Sequence, residues 1–184
     1  MNLPIDIYFA PIEGGEGSRR EREERAVQVL VREVFGQQAR RMHTASGAPY
    51  IAGAEGAANK YISISHSRLT AALAVADSPI GIDLEEDRPQ LVRVAPRVLS
   101  EEELEYYGGR PIGLLEAWTL KEALFKASRE LYGGEMDFTR QLHLPTAKNT
   151  TASVSDGKGA ILARYKTETA SLPDGQMLAA AIQC

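Results

Sequence analysis

The sequence predicts an α+β protein built as two halves, residues 1–88 and 89–184, on three observations. Apolar residues recur with period two in some segments and near 3.6 in others, so both strands and helices are present. The elements run strand, helix and several strands, then helix, helix and several strands, with a break near 86–98. A chain of 184 residues with 43% hydrophobic content can bury a real core and hold one or two domains.

Residues 3–9 form an apolar run around Asp6 and read as the first strand, followed by a loop from Glu13 to Ser18 broken by Gly14, Gly15 and Gly17. Ser18 is placed to cap a helix over Arg19–Phe35, whose Ala26, Val27, Leu30, Val31 and Val34 fall at helical spacing, and Gly36 ends it. Ser46-Gly47-Ala48-Pro49 is a turn into Tyr50-Ile51. Tyr61-Ile62-Ser63-Ile64-Ser65 alternates as a half-buried strand does. Leu69–Ala76 is a small apolar run, which Asp77-Ser78-Pro79 turns into Ile80–Glu85. Three strands in such close succession predict an antiparallel meander. Ser100 with Glu103 is a capping-box signature for a helix over 101–107, and Gly108-Gly109-Arg110-Pro111 breaks it. A strong helix follows over 113–129. Beyond Gly133-Gly134, strands are expected near 137–144, 150–155, 160–167 and 176–183.

Charged residues make up 25% of the chain and the net charge is −4, which excludes compositional disorder and nucleic-acid binding driven by overall charge. The single cysteine, Cys184, excludes an internal disulfide and a Cys-based zinc site. The N-terminus lacks a basic region and meets Asp6 before an apolar run develops, so no signal peptide is read, and no stretch is long enough to span a bilayer. A soluble, cytoplasmic protein without membrane or nucleic-acid partners is the expectation.

Three segments carry chemistry. In Gly81-Ile82-Asp83-Leu84-Glu85 the alternation of a strand puts Asp83 and Glu85 on one face. Paired carboxylates suit a hard, oxygen-seeking cation such as Mg²⁺, and equally a solvated strand end running into Glu86-Asp87. On the strong helix, Trp118, Glu122 and Lys126 stand at i, i+4 and i+8, one stripe with an aromatic, an acid and a base. That stripe serves either a surface pair or a cleft in which Glu122 joins a metal and Lys126 a phosphate. Ser65-His66-Ser67 at a strand end offers hydroxyl, imidazole and backbone donors to a phosphate, or is a capped turn with an exposed histidine. A Ser-His-Asp hydrolase is not supported, because the chain has no Gly-x-Ser-x-Gly elbow.

Taken in this order, Ser65-His66-Ser67, Gly81–Glu85 and Trp118-Thr119-Leu120-Lys121-Glu122-Ala123-Leu124-Phe125-Lys126 resemble the 4′-phosphopantetheinyl transferase superfamily, closest to its Sfp type (holo-acyl-carrier-protein synthase). Leu99-Ser100 with Glu103 is similar to the family's Phe-Ser-x-x-Glu segment. The resemblance covers roughly 46–130. It implies two similar α/β halves forming a pseudo-dimer, with the active site in the cleft between them. It also implies Mg²⁺-dependent transfer of the phosphopantetheine arm of coenzyme A to a serine of an apo acyl or peptidyl carrier protein, by a monomer, releasing adenosine 3′,5′-bisphosphate. By the same resemblance Asp83, Glu85 and Glu122 are metal ligands, and Glu122 and Lys126 are catalytic. Ser65, His66, Lys121, Lys126, Gly47 and Pro49 contact coenzyme A.

Three departures from the family pattern stand out. Ala48 occupies the place, between Gly47 and Pro49, of a basic residue that holds the nucleotide's 3′-phosphate; Arg40, Arg41 and Lys60 are candidate replacements. The interval from Asp83 to Trp118 is short for this type, which bears on the carrier-docking surface rather than the metal site. The N-terminal cations Arg19, Arg20, Arg22 and Arg25 have no secure counterpart. The alternatives are a catalytically weak module that binds coenzyme A or a carrier, and a Mg²⁺-dependent nucleotide or coenzyme A hydrolase.

Overall fold

Ten strands and five α-helices carry the chain among the residues that the computed structural model describes, 1–54, 56–132 and 136–184. A three-stranded antiparallel sheet comes first. β1 (Asp6–Pro11) and β4 (Tyr61–His66) flank β5 (Thr70–Ala76), and α1 (Arg19–Phe35) lies across them. The helix starts where the sequence places it. Ser18 Oγ accepts from the Glu21 N–H, while the Ser18 N–H and hydroxyl donate to the Glu21 carboxylate and hold it below its usual value. Val27, Leu30 and Val31 then bury against Ala71, Leu73 and Val75, the odd-numbered side of β5. A separate hairpin, β2 (Arg40–His43) with β3 (Pro49–Ala52), stands beside this unit.

The second sheet has five strands in the order β6-β10-β9-β8-β7: β6 (Ile80–Glu85), β7 (Leu142–His143), β8 (Ala152–Ser155), β9 (Ile161–Ser171) and β10 (Met177–Gln183). Its main cover is α4 (Gly113–Tyr132), with Ala117, Leu120, Ala123 and Leu124 packed on Val154, Tyr165, Ala179 and Ala181. α2 (Leu91–Val98), α3 (Glu101–Gly108) and the short α5 (Phe138–Gln141) complete that unit. A third apolar cluster joins the two sheets, uniting Ala72, Ala74 and Ala76 of β5 with Ile80, Ile82 and Leu84 of β6 and Leu178, Ala180 and Ile182 of β10.

The predicted meander is corrected at its third strand. β5 already has β1 on one edge and β4 on the other, so no edge remains for β6, which pairs instead with β10, Asp83 opposite Ala179. The first sheet still meets β6, but through side chains: Ser63 Oγ accepts from the Ile82 N–H at 2.9 Å and Ser65 Oγ from the Leu84 N–H at 3.1 Å. These pairs advance together along the sequence, so β4 and β6 run parallel, with serine hydroxyls where a ladder would place carbonyls.

Smaller differences have local causes. The break near 86–98 contains α2, whose Leu91 and Ala95 bury toward Leu115 and Trp118; Pro96 is accommodated because it stands on the exposed side. The strand expected near 137–144 is α5 followed by β7, because the Asp137 carboxylate accepts from the Thr139 and Arg140 N–H groups and caps a helical turn. The breaker Gly133-Gly134 lies outside the described residues. No helix among the described residues is long and apolar enough to cross a membrane.

Candidate active site

β6 is buried on both faces, and that sets its composition. Ile80, Ile82 and Leu84 fill the core between the sheets, while Gly81, Asp83 and Glu85 face α4. At Gly81 the helix comes so close that an added Cβ would stand 1.9 Å from the Ala123 carbonyl oxygen and 2.5 Å from the Ala127 nitrogen. Both are backbone atoms, so no rotamer change relieves the overlap. Gly81→Ala is therefore expected to cost ~3 kcal/mol, the upper part of the range for overpacked cores, and to lower Tm by roughly 6–12 °C. A thermal unfolding curve matching the wild type would show that α4 does not rest on this glycine.

This close approach lowers the Glu122–Lys126 stripe onto the β6 carboxylates. Asp83 is buried; its Oδ1 accepts from Ser65 Oγ at 2.9 Å and from the Lys126 ammonium at 2.8 Å. Lys126 also donates to the Ile82 carbonyl at 3.0 Å and to Ser65 Oγ at 3.2 Å. Glu85 accepts from Trp118 Nε1 at 3.2 Å and pairs with Arg88, which is how the aromatic at the head of the stripe takes part. Burial, and then the neighbouring charges of Asp83 and Glu85, push the Glu122 carboxyl above its usual value, with Lys126 and Arg129 acting in the opposite sense.

Mutual repulsion among Asp83, Glu85 and Glu122 is what a hard divalent cation relieves, and three carboxylates are the donor chemistry it takes. Lys126 and Arg88 supply the countercharge to Asp83 and Glu85. Among the described residues no three His, Cys, Asp or Glu side chains are gathered into a ready-made metal cluster. The residue types fit a magnesium ion; Asp83 and Glu85 are paired with Lys126 and Arg88 here.

Alongside lies a cavity of about 750 Å³, within the size range of small-molecule sites. Asp83, Lys126, Ser65 and His66 border it on one side, and Gly47, Ala48 and Pro49 of the β2–β3 turn on the other. Gly47 takes φ +83° there, and its N–H closes the turn on the Thr44 carbonyl. His66 is exposed, its Nδ1 3.6 Å from Glu23 Oε1. Of the candidate cations, Arg41 and Lys60 border the cavity, each paired with a carboxylate, Glu24 and Asp77.

Lys121, expected at coenzyme A, is placed elsewhere than the stripe residues. One residue along a helix turns the side chain by about 100°, so Lys121 points away from Glu122's side and into the second unit. It is fully buried, 2.9 Å from Glu103 and donating to the Phe138 and Leu142 carbonyls, and burial lowers its ammonium pKa although Glu103 opposes the shift. Glu103 is in turn held by the Ser100 and Leu144 N–H groups. Lys121 does not line the cavity.

Two residues missed in the sequence stand at the cavity's far end. Glu130 accepts from Thr44 and Ser46, which hold its carboxyl below the usual value, and Arg129 donates to the Gly47 carbonyl at 2.9 Å. Their signal was present: Arg129 and Glu130 follow Lys126 by three and four residues, the next turn of the same stripe.

A family model described as the 4′-phosphopantetheinyl transferase superfamily matches residues 79–181, more than half of the chain. The matched segment begins one residue before β6 and ends within β10, so it takes in α2 to α5 and the five-stranded sheet. Comparison with the curated proteins finds no match.

Proposed function

The chain belongs to the 4′-phosphopantetheinyl transferase superfamily, and on that premise we propose that it moves the phosphopantetheine arm of coenzyme A to a serine of an apo acyl or peptidyl carrier protein, releasing adenosine 3′,5′-bisphosphate. Membership supports a transferase in general. The particular reading is carried by one observation: the Glu122–Lys126 stripe meets Asp83 and Glu85 beside a cavity that His66 also lines. In this reading the two sheet-and-helix units are the two halves, and the cavity between the β2–β3 turn and α4 takes coenzyme A.

The carrier serine oxygen forms the new bond to the pyrophosphate phosphorus that bears the pantetheine arm, and the bond to the nucleotide's bridging oxygen breaks. Lys126 and His66 bind phosphate oxygens and balance their charge. Glu122, whose raised pKa makes it a better base, takes the serine proton. Ser65 and Trp118 act as positioning residues, holding Asp83 and Glu85 by single hydrogen bonds. Asp83, Glu85 and Glu122 would hold a Mg²⁺, whose chemistry there is to neutralise the pyrophosphate.

The test is incubation with coenzyme A, Mg²⁺ and a panel of apo carriers, each weighed intact by mass spectrometry. A carrier gaining the mass of the arm is the expected result. Release of adenosine 3′,5′-bisphosphate with every carrier unchanged would instead identify a hydrolase, and coenzyme A binding with no chemistry would identify a binding module.

A further inference from the structure

Charge balance along the cavity singles out Arg129. Arg41 is paired with Glu24, Lys60 with Asp77, and Lys126 with Asp83. Arg129 borders the same cavity and, among the described residues, has no carboxylate at ion-pair distance. The neighbouring Glu130 is turned to Thr44 and Ser46 instead. The Arg129 guanidinium rests on the Phe125 ring at 5.1 Å and spends one N–H on the Gly47 carbonyl, while its Nε is buried without a hydrogen-bond partner. With no carboxylate at ion-pair distance, the terminal guanidinium nitrogens have N–H groups to spare, and an anion in the cavity that accepts from them gains charge-assisted hydrogen bonds.

Position states which anion. Arg129 follows Lys126 by three residues on α4, about 4.5 Å along the axis, on the side toward the β2–β3 turn. A ligand whose pyrophosphate meets Lys126 and whose nucleotide extends toward Gly47 brings the phosphate on its ribose to the guanidinium, one sugar away. Ala48 adds no charge at that turn. Planar guanidinium donors match two phosphate oxygens at once, which Lys60, a point charge already engaged by Asp77, does not.

We propose that Arg129 is the specificity-determining residue for the ribose 3′-phosphate, so that the cavity selects coenzyme A over 3′-dephospho-coenzyme A. This rests on the coenzyme A reading of the cavity, and the two are separable because both compounds carry the same transferable arm.

The test is calorimetric titration of the full chain with each compound in the absence of carrier. The wild type is expected to bind coenzyme A about 10- to 100-fold more tightly than the dephospho form. In Arg129→Gln, which retains a donor for the Gly47 carbonyl but no charge, coenzyme A affinity should fall to that of the dephospho form, whose own affinity stays within about twofold. Arg129→Lys should recover part of the preference. Equal binding of the two compounds by the wild type, or equal weakening of both by Arg129→Gln, would overturn the assignment. Mass-spectrometric transfer assays with both donors separate the claims. A preference for coenzyme A without arm transfer to any carrier refutes the transferase and retains Arg129. Transfer with equal KM for both donors does the reverse.

Discussion

Glu122→Gln is expected to lower arm transfer by about 10²–10⁴-fold, the loss that follows removal of a general base, while making the metal-free protein more stable at neutral pH. Both effects have one cause. Burial and the charges of Asp83 and Glu85 raise the Glu122 carboxyl above its ordinary 4.5, so the folded state prefers the protonated form. A group with a raised folded pKa adds stability that is fully present below 4.5 and is lost as pH rises through the folded value. Above the folded value the wild type has lost that contribution, and the neutral amide avoids the burial cost. Toward pH 4.5 the advantage of the variant should disappear. Thermal unfolding with chelator across this range checks the first effect and carrier mass the second. A variant that melts below the wild type at high pH would mean that Glu122 is a structural anion rather than a strained functional one.

Lys121→Ala should behave in the opposite manner, losing ~3–5 kcal/mol of stability because Glu103 is left buried without its cation. The loss is large because Glu103 also receives the Ser100 and Leu144 N–H groups and cannot turn to solvent. Activity per folded molecule, assayed well below the transition, should keep the wild-type KM for coenzyme A. The pair thus separates two adjacent residues, one acting on the fold and one on the chemistry. A variant that folds normally but shows a raised KM would return Lys121 to the cavity.

Much of the site was legible because its spacing is local. Alternation put Asp83 and Glu85 on one face, and the interval of four linked Glu122 to Lys126; both relations hold in three dimensions. The direction of Lys121 was not legible, because adjacency in a motif hides the helical turn of about 100° that separates neighbours. Arg129 and Glu130 were missed because their partners, Gly47, Thr44 and Ser46, are more than eighty residues away. Most elements were likewise readable from periodicity and caps. Strand partnership was not, since nothing in Ile80–Glu85 itself says that its ladder partner is Met177–Gln183 rather than the preceding strand.

That partnership has a consequence for how the protein is made. β10 follows β6 to β9 in sequence yet stands between β6 and β9, so the five-stranded sheet cannot close until residues 177–183 have left the ribosome. Until then β6, carrying Asp83 and Glu85, waits with an open backbone edge through the synthesis of residues 86–176, a period in which unpaired edges invite misassociation. A chain stopped before Met177 would have every acid of the site and no central strand to hold β6 against β9. Competence arrives with β10.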